Sequence, residues 1–88
     1  MEQRVVITGM GVISPVGNNL SDFWQNLVAG HCGIEQIKGF DEYDLPISVA
    51  GQVKDFDPEA NGLNRNDVRR SDMYCQFALA AAYQAMQD

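Results

Sequence analysis

The sequence predicts an α/β fold, and an incomplete one. Arg4-Val5-Val6-Ile7-Thr8 is a β-branched run of the kind buried inside a sheet. Residues 47–54 alternate in the manner of a second strand, and helical patterns follow each of the two strands. A strand as apolar as residues 3–8 needs a neighbour on each side, yet only one other strand is legible. The chain also reaches Gln87-Asp88 inside a helical pattern, with neither glycine nor proline to close it. The expectation is a piece of something larger.

Each element has a local cause. Residues 3–8 read as a strand because continuous Val/Val/Ile suits a segment covered on both faces. Residues 9–19 read as a loop. Pro15 disfavours α geometry at Ser14, and Gly17 and Asn18 tolerate the left-handed region. Residues 21–29 read as a short helix capped by Ser21, with Asp22 at the positive end of its dipole and Gly30 closing it. Its apolar face carries Phe23, Trp24, Leu27 and Val28.

Residues 30–46 read as irregular, punctuated by Gly30, Gly33, Gly39 and Pro46. In the strand at 47–54, Ile47, Val49, Gly51 and Val53 point one way and Ser48, Ala50, Gln52 and Lys54 the other. Residues 55–64 form a polar turn region with Asp57-Pro58 and Asn61-Gly62. From about Asn64 the pattern is helical, with Asn66 or Ser71 as the expected cap and alanines suited to close packing.

Composition excludes several classes. With 45% hydrophobic and 20% charged residues the chain is globular rather than disordered. Its 88 residues suffice for one small domain. There is no membrane-length apolar run and no signal-peptide pattern, so the expected location is the cytoplasm. A net charge of −6 argues against nucleic acid as a partner. Cys32 and Cys75 form no CxxC pair and His31 is the one histidine, so neither a metal site nor a cofactor is expected. In a reducing cytoplasm both thiols stay free.

Gly9-Met10-Gly11 after a strand invites a dinucleotide reading. That motif needs a small third residue and a helix starting within it, but Ser14-Pro15 intervenes and no helix begins before Ser21. The glycines read instead as positions where a loop packs tightly. Ser14 lacks a base and a GxSxG elbow, so it reads as structural. His31 and Cys32 are neighbours in sequence, which does not make a catalytic pair. Arg65, Arg69 and Arg70 form a basic cluster in an acidic chain. Spacing alone makes it a solvated helix face, with Asp67 and Asp72 offsetting the charge.

The run from Arg4 to Gly11, then Ser14-Pro15-Val16-Gly17, resembles the start of bacterial β-ketoacyl-acyl-carrier-protein synthases, most closely the type II condensing enzymes. The resemblance continues through Phe23-Trp24, Leu27 to Gly30, Gly33-Ile34, Ala50 to Phe56, Arg69 to Asp72 and Gln84 to Asp88. It implies that residues 1–88 are the N-terminal part of the synthase N-terminal domain, an incomplete domain of a five-layered thiolase-like fold, homodimeric when intact. The implied reaction is a decarboxylative Claisen condensation between an acyl-enzyme and malonyl-acyl-carrier protein in fatty acid elongation. The catalytic cysteine and two histidines of that family match no position here, so no catalytic residue is assigned and the isolated chain is expected to be inactive.

What the resemblance does transfer is carrier-protein contact, at Arg69 and Arg70 with Arg65 close by. Asn66 stands where the family often has a basic residue. The implied partners are acyl-carrier protein and malonyl and acyl thioesters, with no nucleic acid and no membrane. Two alternatives stay open: a stand-alone, non-catalytic carrier-protein-binding module, and the N-terminal part of a polyketide-type ketosynthase.

Overall fold

A computed structural model describes residues 2–39 and 46–88. The chain divides into two compact units, Met1–Val12 with Asp57–Asp88, and Ile13–Phe56. The part of the irregular stretch at 40–45 lies outside the described residues.

The unit Ile13–Phe56 holds one helix and one hairpin. Helix α1 spans Leu20–Val28, and its N-cap is Asn19, two residues earlier than Ser21. The Asn19 side chain accepts from the Asp22 amide at 2.8 Å and donates to the Asp22 carboxylate at 3.0 Å. Asn fills this role as well as Ser does, because a short side-chain oxygen reaches the third amide of the helix. Gly30, at φ +81°, ends it as expected.

Strand β1, Ile34–Gln36, lies in the stretch read as irregular, and it pairs antiparallel with β2, Val49–Gly51. The register sets Ile34 opposite Gly51 and Gln36 opposite Val49. Three-residue strands are too short to show a periodicity, which is why β1 left no signal. The Gln52 side chain extends the ladder, accepting from the Lys38 amide and donating to the Lys38 carbonyl. The face that carries Ile47 and Val49 is exposed, at 64% and 49%.

The second unit corrects the strongest sequence expectation. Residues 3–8 form no strand, and Val5, Val6 and Ile7 are 94%, 73% and 80% exposed. A strand exists only as a ladder, and among the described residues no segment pairs with this one. Its composition states what it would bury, not what is there to cover it.

The rest of this unit is a turn and two helices. Asp57 accepts from the amides of Glu59 and Ala60, which starts the single 3₁₀ turn Glu59–Asn61. Helix α2 spans Arg65–Arg70 and α3 spans Met73–Gln87. The expected caps shift again: Asn64 caps α2, Ser71 ends it and Asp72 precedes α3. Asn64 and Asp67 make a reciprocal capping box, with bonds of 2.9 and 3.0 Å. Gln76 is 5% exposed and donates to the carbonyls of Val68 and Ser71, so a buried amide closes the end of α2. Among the described residues, the buried apolar ones are Leu63 and Ala80.

Residues 9–12 lie along α3. A Cβ added at Gly9 would collide with the Ala85 carbonyl oxygen, and one at Gly11 with that of Ala81. The Met10 amide donates to the Asp88 carboxylate at 3.0 Å and the Val12 amide to Gln84 Oε1 at 3.1 Å. Glycine and alanine together allow this approach of backbone to backbone.

Candidate functional site

The Asn64–Asp67 capping box fixes where α2 begins, and so fixes which side each arginine occupies. A helix turns about 100° per residue, which brings positions four apart onto one side. Arg65 and Arg69 share a side, while Arg70 is turned away from it. All three are exposed.

A groove runs between α2 and the turn that precedes it, lined by Asp57, Pro58, Glu59, Arg65, Val68 and Arg69. Pro58 and Val68 give it an apolar component, the arginines stand on the helix side, and Asp57 and Glu59 on the turn side. Neither Asp67 nor Asp72 lies within ion-pair distance of an arginine. The Asp67 carboxylate accepts from the Asn64 amide, and among the described residues the ion pairs are Lys38–Glu35 and Lys54–Glu35. Three guanidinium groups therefore face solvent with no carboxylate within ion-pair distance among those residues. A cationic face of this kind attracts an anionic partner, mainly by speeding encounter.

Among the described residues, those with nucleophilic or metal-binding chemistry do not assemble into a site. His31 and Cys32 are exposed, the His31 amide is bonded to the Asn26 carbonyl, and the Cys32 thiol lies 3.8 Å from the Ile34 carbonyl oxygen. Cys75 is half-buried in α3 and free. Among the described residues no three His, Cys, Asp or Glu side chains group to hold a metal.

Ser14 is occupied structurally. Its hydroxyl donates to the Gly17 carbonyl at 3.0 Å and accepts from the amides of Val16 and Gly17 at 3.2 and 3.1 Å. The amides of Met10 and Val12, which a phosphate would need, are bonded to the end of α3. Nothing in the sequence joins Pro58, Glu59 and Val68 to the arginines. Only the fold brings the turn at 57–59 beside α2, and no pattern along the chain marks that.

The family model described as "Beta-ketoacyl synthase, N-terminal domain" matches residues 2–88. Among curated relatives, the 3-oxoacyl-[acyl-carrier-protein] synthase 2 of Coxiella burnetii is 47% identical over 87 residues, 99% of this chain and 21% of the relative. The protein of the same name from Synechocystis is 45% identical over 87 residues, again 99% of this chain and 21% of the relative. A protein of Streptomyces halstedii named for polyketide beta-ketoacyl synthase 1 is 43% identical over 88 residues, all of this chain and 21% of that protein. The chain thus spans about a fifth of the length of the curated relatives it matches. With the family model matching residues 2–88, the chain belongs to the beta-ketoacyl synthase family and corresponds to part of its N-terminal domain.

Proposed function

We propose that this chain is the N-terminal part of a type II 3-oxoacyl-acyl-carrier-protein synthase, and that the complete protein elongates fatty acyl chains. The observation that carries the reading is the identity of 47% and 45%, across the whole chain, to two proteins of that name. The implied fold is thiolase-like, with Val5, Val6 and Ile7 paired in a sheet by later segments; their exposure here is consistent with that. The intact enzyme is a cytoplasmic homodimer under this reading.

The reaction has two stages. A cysteine thiolate attacks the acyl-carrier-protein thioester, and the carrier thiol leaves. Malonyl-carrier protein then loses carbon dioxide. The electron pair left behind attacks the acyl-cysteine carbonyl, which forms the new carbon–carbon bond and releases the cysteine thiolate. Two histidines stabilise the oxygen on which charge develops. That cysteine and those histidines lie outside this chain.

The part of the work that falls to residues 1–88 is contact with the acidic carrier protein, through Arg69 and Arg70 with Arg65. Their lack of ion-pair partners among the described residues supports it. In the complete protein, Arg69→Glu with Arg70→Glu should raise KM for carrier-protein substrates severalfold. It should leave turnover of a small thioester that needs no docking nearly unchanged. An unaltered KM at low salt would return the cluster to an ordinary solvated face.

The 43% identity to the polyketide-named relative favours a second reading, a polyketide-type ketosynthase. The deciding experiment supplies the complete protein with acyl- and malonyl-carrier protein and follows carbon dioxide release and product mass. A 3-oxoacyl product on the fatty acid carrier supports elongation. Activity restricted to a polyketide carrier supports the alternative. No carbon dioxide and no acylated cysteine would defeat both.

A further inference from the structure

We propose that the Asn61–Gly62 bond is a latent modification site, where the chain can lose ammonia and rearrange, and that Gln84 of α3 holds it shut. This is the one Asn–Gly pair in the chain. Such a pair is open to the chemistry because a residue without a Cβ lets its amide nitrogen approach the preceding side chain. Asn61 is half-buried and Gly62 exposed, so water reaches the bond.

The reaction is a substitution at Asn61 Cγ with no redox change. Hydroxide takes the Gly62 amide proton, and the nitrogen attacks Cγ. The Cγ–Nδ2 bond breaks, and Nδ2 takes a proton from water and leaves as ammonia. Water then opens the cyclic imide. Attack at Cγ leaves an aspartate. Attack at the Asn61 main-chain carbonyl carbon leaves an isoaspartate, whose backbone runs through Cβ and Cγ.

The fold opposes each of the first steps. The leaving amide is held at both ends: Asn61 Nδ2 donates to the Asp57 carbonyl at 2.9 Å, and Oδ1 accepts from Gln84 Nε2 at 2.8 Å. Gln84 Oε1 in turn accepts from the Val12 amide at 3.1 Å. This relay begins at a backbone donor and ends at a backbone acceptor, which fixes the orientation of both side-chain amides. The attacking nitrogen is engaged too, since the Gly62 amide donates to the Glu59 carbonyl at 3.2 Å. Of these contacts, the bond from Gln84 alone ties Asn61 to another element. The products fit poorly. Aspartate would set an acceptor against the Asp57 carbonyl, where the amide now donates. Isoaspartate would lengthen the main chain just before Leu63, which is 4% exposed, and Asn64, the cap of α2. Gly62 lies so close to the Tyr83 ring that an added Cβ would collide with it, which leaves the turn little room to absorb the extra atom.

The test follows ammonia loss in the complete protein at mildly alkaline pH, folded and in concentrated guanidinium chloride. Trypsin releases residues 55–65 as one peptide, since Lys54 precedes it, Arg65 ends it and neither Lys nor Arg lies between. Fragmentation of that peptide locates the amide-to-acid mass gain, and isoaspartyl methyltransferase detects the isoaspartate. Asn64, in the same peptide, is the internal control for global opening. Asn61 should convert about tenfold more slowly in the folded protein than in the unfolded one. Gln84→Glu keeps an acceptor for the Val12 amide but removes the donor to Asn61, and Gln84→Met removes both. Each should raise the folded rate at Asn61 about fivefold while leaving Asn64 unchanged. Equal rates at Asn61 in folded and unfolded protein, a comparison that needs no variant, would overturn the proposal. So would an unchanged rate in both variants, or an acceleration matched at Asn64.

Discussion

Substituting Gly11 by alanine tests whether the glycine pair at 9–11 exists to let backbone meet backbone. The added Cβ would collide with the Ala81 carbonyl oxygen and lie 2.6 Å from Gln84 Cβ and 2.9 Å from the Ala85 amide nitrogen. Two of these three are backbone atoms inside α3, so no rotamer change relieves the clash. Overpacking of this kind costs about 1–3 kcal/mol. Pushing Gln84 aside also endangers its bonds to the Val12 amide at 3.1 Å and to Asn61 Oδ1 at 2.8 Å, each worth about 1 kcal/mol. The expected cost is about 2–4 kcal/mol, since partial relaxation trades one loss against the other. The control is Gly30→Ala. Nothing lies within 4 Å of its added Cβ, but φ of +81° costs an alanine about 1–2 kcal/mol. Urea unfolding of the complete protein, followed by far-UV circular dichroism, compares the two. If Gly11→Ala costs no more than Gly30→Ala, the close-approach argument fails.

The remaining predictions concern the caps, the hairpin and the thiols. Asn64→Ala should destabilise α2 by about 1 kcal/mol and speed amide exchange at Asp67, whereas Asn64→Asp should keep the cap. Glu35 is held below its ordinary value of 4.5, first by a hydrogen bond from Lys54 and then by the charges of Lys54 and Lys38. A carboxylate with a lowered folded pKa stabilises the fold above its unfolded value and loses that contribution as pH falls through the folded one. The β1–β2 pairing should therefore loosen on acidification below about pH 4.5, as followed by carboxyl and amide chemical shifts. In Glu35→Gln that acid dependence should vanish. Finally, incubating the 88-residue chain with acyl-carrier protein should leave its mass unchanged. An acyl adduct on Cys32 or Cys75 would show chemistry that neither side chain's surroundings support.

Local features whose cause spans a few residues were legible along the chain. These include the 9–19 loop, the helix closed by Gly30, the helical 64–88 region and the family, since each depends on residue types in a short, fixed order. The sequence also placed the basic cluster. The caps were misplaced by a residue or two because Asn, Ser and Asp compete for the same role, and only the amide geometry decides between them. Tertiary structure alone decided which arginines share a groove, because the facing wall at Asp57–Glu59 is brought there by the fold. It also decided that Gly9 and Gly11 meet α3, and that Val5, Val6 and Ile7 stand exposed rather than paired. Residue types fix how a segment can be covered. What covers it depends on which other segments are present, because a β ladder and a packed seam are properties of two segments and never of one.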